Sequence, residues 1–292
     1  MECQAFIDGR SLSFQMEGDF FWGEDEVLYN ANNNLIKNTP WKSAGFTILD
    51  LLTNTEYQQI NRAVHFIIQS IFDNLNISYD KNNFDLSKYH QYVNDHLHQQ
   101  IISNTRFLTY RDLQIEMATI VDRLSNMIGN DLCLQNPLLN KEIVILRISR
   151  PHSLDINPPH RDGYLNIWKD TLNLWLPVIG CDHHSSLPII PNSHLWNEKS
   201  IYRTSSKNAV INGLSYHVPG IIKTHYGLNM IRPNPNIGQV LAFTPFLIHG
   251  CAINWNDNIT RFSLELRLFD KSKSYATSSA NPIPECPKLL PQ

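Results

Sequence analysis

Past Asn136-Pro137 the hydrophobic period of the chain changes from helical to extended, and no other feature constrains the fold as much. Segments 142–148, 171–178, 187–190, 240–243 and 260–269 read as short strands separated by turns rich in Pro, Gly and Asn. That pattern predicts an antiparallel sandwich or barrel rather than βαβ units. Ahead of it, 45–50 reads as a strand, and Thr53-Asn54-Thr55-Glu56 offers caps for a helix running to about Phe72. Its apolar residues Ile60, Val64, Ile67, Ile68 and Ile71 recur at helical spacing. Two more helical stretches are expected near 85–103 and 110–128, the second with Leu113, Met117, Ile120, Val121 and Leu124 on one face.

The expected organisation is an N-terminal extension over 1–44, a main domain over 45–270 and a C-terminal tail over 271–292. Segment 195–237, rich in Asn, Gly, His and Tyr, is too long for a hairpin and reads as a lid or insertion. With 42% hydrophobic and 17% charged residues among 292, the chain can bury a substantial core. Its net charge of −3 gives no clustered basic face for nucleic acid or an anionic membrane, so neither partner is expected. Five scattered cysteines without a Cys-x-x-Cys pair, and a start lacking a basic and apolar leader pattern, lead us to expect a cytoplasmic protein with reduced thiols.

The chemistry concentrates in Asn157-Pro158-Pro159-His160-Arg161-Asp162-Gly163. On an extended strand His160 and Asp162 share a face and Arg161 points away. Two histidines and a carboxylate with open positions suit non-haem Fe(II), although a lone His-x-Asp pair is more often chance. His249 ends a long apolar run 87 residues beyond Asp162 (249 − 162) and is the candidate third ligand; a buried core histidine is its ordinary alternative. Beyond it, Arg261 and Ser263 alternate with Phe262, Leu264, Leu266 and Leu268. The apolar face should pack under the N-terminal helices, turning Arg261 and Ser263 into the barrel. An interior guanidinium needs an anion, either a ligand carboxylate or an internal partner such as Glu265.

His160-x-Asp162, His249 and Arg261-x-Ser263, in that order, resemble the Fe(II)/2-oxoglutarate-dependent dioxygenases, with surroundings similar to the phytanoyl-CoA dioxygenase-like branch. Gly45-Phe46-Thr47-Ile48-Leu49-Asp50 resembles that branch's opening strand. Asn173-Leu174-Trp175-Leu176-Pro177-Val178 resembles its tryptophan-bearing strand, and Pro191-Asn192-Ser193-His194 its Pro-Gly-Ser-His turn, with Asn192 where glycine is usual. The resemblance spans about 45–269. It implies a mainly β fold with flanking helices: a double-stranded β-helix (a jelly-roll, cupin-like barrel) with N-terminal helices packed on one sheet. It further implies Fe(II) on His160, Asp162 and His249, and 2-oxoglutarate on Arg261 and Ser263. O2 would be consumed as 2-oxoglutarate is decarboxylated to succinate and CO2. Because Asp162 is retained, the resemblance points to a hydroxylase rather than a halogenase, with desaturation, ring formation and epimerisation open on the same three ligands; the polar 195–237 segment and the lack of a basic patch point to a small polar metabolite, in a biosynthetic setting. Oligomeric state is not readable.

Trp175 and Asn173 share a face and are expected at the co-substrate pocket. Arg147, Arg150, His194, Trp196 and Tyr216 are candidate substrate contacts, with surface or core packing the alternative for each. His183 and His184 point apart on an extended chain and give no second metal site. His96 and His98 are expected to be merely exposed, and Cys181 and Cys251 to be small buried hydrophobes. Two other functions fit less of the pattern. A zinc hydrolase on the same three ligands leaves Arg261 and Ser263 without a role, and a non-catalytic barrel binding module does not require an intact ligand set.

Overall fold

A computed structural model describes residues 1–272 apart from Asn33, Arg106, Phe107 and 137–139, so the expected tail lies outside the described residues from 273 onward. The chain opens with strands β1 (Glu2–Ile7), β2 (Arg10–Gln15), β3 (Phe20–Trp22) and β4 (Phe46–Asp50). Helices α1 (Asn54–Asn74), α2 (Asp95–Thr105) and α3 (Met117–Ile128) follow, then the short strands β5 (Leu132–Cys133), β6 (Gln135–Asn136) and β7 (Lys141–Glu142). After β8 (Val144–Ser149) and β9 (Thr171–Ile179) come β10 (Ile201–Thr204), β11 (Ala209–Ile211), β12 (Leu214–Tyr216), β13 (Ile221–Thr224) and β14 (Asn229–Met230). The chain returns through β15 (Gln239–Phe243) and β16 (Arg261–Asp270).

Thr53 caps α1 reciprocally with Glu56: the Thr53 hydroxyl accepts from the Glu56 amide at 3.2 Å and Glu56 Oε2 accepts from the Thr53 amide at 2.7 Å. Arg123 of α3 then bonds both oxygens of Glu56 at 3.0 Å, fastening α3 to the start of α1. The stretches expected at 85–103 and 110–128 are each broken. Asn94 accepts from the Leu97 amide and starts α2 after a separate turn at Leu86–Gln91; Gln114, at φ 54°, separates the turn Tyr110–Leu113 from α3. Side-chain capping and a left-handed residue override a continuous apolar period here.

The main sheet runs β4-β15-β9-β16, with β8 and then β5 completing its far edge against β16. Its strand pairs are antiparallel. Phe262, Leu264, Leu266 and Leu268 face the helices, forming one core with Ile60, Val64 and Ile68 of α1 and Ile120, Val121 and Leu124 of α3. The opposite face of β16 carries Arg261, Ser263, Glu265 and Arg267. Across from that face lies a row held by single bridges: His160 to His249, His249 to Ile189 and Ile189 to Ile231. The strand expected at 187–190 is thus reduced to isolated bridges, because Pro188 and Pro191 have no amide to donate. The chain alternates between sheet and row, from β8 to His160, from β9 to Ile189, and through β15 to His249 before β16.

The first 22 residues form short strands that pair with the segment between β9 and β15. β1 pairs in parallel with β14 and antiparallel with β2, while β3 pairs with β10, itself paired with β13. Cys3, Ala5, Ile7, Leu12 and Phe14 share a second core with Ile201, Ile211, Ile221 and Met230, so the chain start and the 195–237 segment form one packed unit.

Candidate metal centre

His160 and His249 are cross-strand partners that exchange both backbone hydrogen bonds, at 2.9 and 3.0 Å, which sets their rings 4.3 Å apart. His160 Nδ1 donates to the Pro158 carbonyl at 2.7 Å and His249 Nδ1 to the Leu247 carbonyl at 3.0 Å. Those bonds select the tautomer whose Nε2 carries the lone pair. Asp162 begins a tight turn, Asp162–Tyr164, instead of continuing a strand. Its Oδ1 still lies 3.4 Å from His160 Nε2, and its Oδ2 4.0 Å from His249 Nε2. The three ligand atoms fall within 4.8 Å of one another, and the three residues are 2–4% exposed.

Both protonation states are those a metal needs. Burial alone would raise the Asp162 pKa, but the Arg267 guanidinium and the two imidazoles hold its carboxyl well below the usual carboxylate range. Burial, aided by His160, pushes His249 down to about 4 and keeps it neutral. Asp162 Oδ2 accepts from Arg267 Nη2 at 2.7 Å, from Arg267 Nε at 3.2 Å and from Asn173 Nδ2 at 2.8 Å. Oδ1 is left facing His160.

A small cavity opens beside the triad, lined by His160, His249, Trp175, Arg147, Arg261 and Glu265 among others. Arg261 is 3% exposed; its Nη1 donates to Ser263 Oγ at 2.7 Å and its Nη2 to the Ala252 carbonyl at 3.1 Å. Its Nε has no partner, and no carboxylate pairs with it among the described residues. Glu265, the internal partner weighed for it, bonds Arg147 at 2.8 Å instead and approaches Arg267 at 3.9 Å. Burial lowers the Arg261 pKa, as it must for a cation without a counter-ion. Trp175, fully buried, also presents an unpartnered Nε1–H.

The structure therefore gathers His160, Asp162, His249, Trp175, Arg261, Ser263 and Arg147 in one place. Asn173 sits behind Asp162 and orients it. Arg150 is tied up with Asp155, Asp95 and Ser153, and it is Asp155, not Arg150, that lines the cavity. His194 is fully buried under the N-terminal residues, bonding the Lys42 carbonyl and meeting Tyr29 edge-on. Trp196 packs on Tyr226, and the Tyr216 hydroxyl donates to the Ile156 carbonyl. Asn192 adopts φ 62°, the left-handed geometry its place in the turn requires. His98 departs from expectation: it is 1% exposed, bonded to the Tyr89 hydroxyl at 2.9 Å and 3.5 Å from Asp155.

Sequence reasoning missed Arg267, although the alternation that turned Arg261 and Ser263 inward continues to it. It also missed the partners of Arg161. Turned away from the metal ligands as expected, Arg161 is fully buried against Glu198, the Ser193 carbonyl and the Trp196 carbonyl. Glu198, equally buried, also accepts from Arg203 at 3.1 Å. The residue between two candidate metal ligands is thereby locked to the 195–237 segment.

No family model matches this chain, and no curated protein matches it. Solved structures similar to it include AviO1 from Streptomyces viridochromogenes Tue57, 13% identical, covering 87% of this chain and 99% of that one with a TM-score of 0.48. EctD from S. alaskensis, solved with 2-oxoglutarate and 5-hydroxyectoine, is 14% identical over 87% of this chain and 83% of its own, with a TM-score of 0.44. The non-heme alpha ketoglutarate dependent epimerase SnoN from nogalamycin biosynthesis is 10% identical over 79% of each chain, with a TM-score of 0.41. No helix among the described residues is long and apolar enough to cross a membrane.

Proposed function

We propose that this chain is an Fe(II)/2-oxoglutarate-dependent oxygenase of the phytanoyl-CoA dioxygenase-like kind, hydroxylating an unactivated C–H bond of a small polar metabolite. In this reading the alternation between the main sheet and the bridged row is a double-stranded β-helix, with α1 and α3 packed on the sheet. The observation that carries the reading is Arg261: a buried guanidinium without a carboxylate partner, opening on the cavity that His160 and His249 line. A metal site alone would fit a zinc hydrolase; a metal site beside an unsatisfied buried cation calls for an anionic co-substrate.

The donor set fits Fe(II): two neutral imidazoles and one carboxylate, with a cavity on the open side. His160, Asp162 and His249 would hold the metal through Nε2, Oδ1 and Nε2. Arg261 and Ser263 would seat the distal carboxylate of 2-oxoglutarate, with the unpartnered Trp175 Nε1–H available to a co-substrate oxygen. Leu187, Ile148 and Ile156 wall the cavity and limit water. Once bound, iron with 2-oxoglutarate and O2 supplies the oxidising power for C–H cleavage, releasing succinate and CO2; the protein's part is orientation and exclusion of solvent. Asp162 fills the carboxylate position, which favours hydroxylation over halogenation. Free thiols at Cys3, Cys133, Cys181 and Cys251 suit a reducing, cytoplasmic location.

The test is anaerobic addition of Fe(II) and 2-oxoglutarate to metal-free protein, following the visible charge-transfer band of the chelate. The band should appear in the wild type, vanish in His160→Ala, and need far more 2-oxoglutarate in Arg261→Ala. A wild-type protein that shows no band and retains zinc tightly overturns the reading in favour of the hydrolase.

A further inference from the structure

Strand β16 is buried at every position from Arg261 to Phe269 except one. The exception is Glu265, whose side chain is 17% exposed and lines the cavity beside His160 and His249. Arg147, 34% exposed, reaches it from β8 and donates Nη2–H to Glu265 Oε2 at 2.8 Å. The strands set this meeting: Arg147 pairs with Ser263, one inward position from Glu265. Exposure alone does not set the pair apart, since Arg123 and Glu56 are as open and only join two helices; its position does. This pair opens on the cavity, and the buried Nε of Arg147 has no partner among the described residues. A cation and an anion in contact, both facing the metal side of one small cavity, leave donor and acceptor capacity for a ligand carrying both charges.

We infer that Arg147 and Glu265 form a clamp for a zwitterionic substrate of the α-amino acid class, whose carboxylate meets Arg147 and whose ammonium meets Glu265. Because the two side chains touch, the ligand's opposite charges must lie a bond or two apart, as they do across one α-carbon and not at the ends of a longer chain. The fork of Arg147 suits a carboxylate, and its idle Nε–H supplies a further donor. In the ligand-free protein the two side chains satisfy each other. The rest of the substrate then extends toward His160 and His249. What becomes of the substrate rests on the oxygenase reading; the binding itself does not.

The experiment is calorimetric titration of the Mn(II)- and 2-oxoglutarate-loaded protein with the common L-amino acids singly, with their methyl esters and with their N-acetyl derivatives. At least one free amino acid should bind, with its ester and its N-acetyl form each at least about tenfold weaker, the loss expected when a charged hydrogen bond is removed. Arg147→Gln and Glu265→Gln should each weaken that amino acid by a similar factor. Binding of none of the free amino acids, equal binding of the blocked forms, or wild-type affinity in both variants would overturn the clamp. The ester and N-acetyl comparisons decide the matter even if a variant fails to fold. Loss of the Fe(II)–2-oxoglutarate band with amino acid binding intact would instead overturn the oxygenase reading alone.

Discussion

Arg267 grips one oxygen of Asp162 and leaves the other free, its Nη2 and Nε donating to Oδ2 at 2.7 and 3.2 Å while Oδ1 faces His160. Asn173, opposite Arg267 in the strand register, adds a third donor to the same oxygen. The carboxylate is thereby fixed in rotation, and in the proposed site it would offer a metal one oxygen. Removing the grip in Arg267→Met should weaken Fe(II) about 10- to 100-fold, the usual effect of losing a partner behind a metal ligand. Asn173→Ala, which leaves Arg267 in place, should cost less. Competition titration with Co(II), read by its absorption, measures both; unchanged affinity in Arg267→Met would mean that His160 and His249 position the metal without help.

How far the sequence could reach is visible in these same residues. The grouping of His160, Asp162 and His249 and the inward turn of Arg261 were legible from local patterns, namely a polar residue ending an apolar run and a cation on the inward face of a strand, although Asp162 reaches His160 from a turn and not by the strand alternation expected of it. Arg267 obeys the same alternation and could have been read from it. The partners of Arg161 could not, since Glu198 meets it only after the 195–237 segment folds back on the metal motif, and nothing in either local pattern encodes that approach. His98 was misread for a related reason. Its helical position looked peripheral, but the turn carrying Tyr89 and the loop carrying Asp155 both close over it. The pairing of β1 with β14, across more than 200 residues of chain, is likewise invisible to any periodicity.

The Arg161–Glu198 pair gives a stability prediction. Both side chains are fully buried, so Glu198→Gln strands a guanidinium in the interior and should cost about 3 kcal/mol. Arg203, which also bonds Glu198, is 16% exposed and would lose its anion too. Urea unfolding monitored by tryptophan fluorescence reports the change. The combined Arg161→Met, Glu198→Leu protein should recover most of the loss, because it leaves no unpaired charge at either of the two buried positions; a double variant as unstable as the single one would show that the pair's geometry, and not its charge balance, is what holds the segment.

Gly250 sits at φ 127° directly after the candidate metal ligand His249, where a Cβ would stand 2.4 Å from the Pro158 carbonyl oxygen and 3.2 Å from His160 Nδ1. That carbonyl is the acceptor orienting the His160 ring. Gly250→Ala should therefore weaken metal binding by pushing apart the His160–His249 pair, beyond the cost of placing alanine in a backbone region that favours glycine. Gly129, also at positive φ but with open space around it, is the control: Gly129→Ala should lower the melting temperature and leave the metal affinity alone. Equal metal affinities in the two variants would contradict the steric argument.

His98 supplies a pH dependence whose sign can be worked through. Burial pushes its pKa down to about 4, against an ordinary value near 6.5, with Asp155 only partly opposing the shift. Above pH 6.5 the imidazole is neutral in folded and unfolded chains alike, and the full stability is present. Below that, the unfolded chain binds a proton that the folded chain refuses, so stability falls as the pH drops from about 6.5 to about 4. The shift corresponds to roughly 3 kcal/mol across that window for a group this deeply buried. His194, also pushed down to about 4 by burial, adds loss of the same sign. In metal-free protein, urea midpoints between pH 7 and pH 4.5 should fall steeply in the wild type. His98→Gln should be less stable at pH 7 and lose less on acidification, with close to one proton fewer taken up on unfolding near pH 5. Parallel pH profiles for the two proteins would mean that His98 titrates alike in the folded and unfolded chains, and a wild type that gains on the variant as the pH falls would mean an imidazolium paired with Asp155.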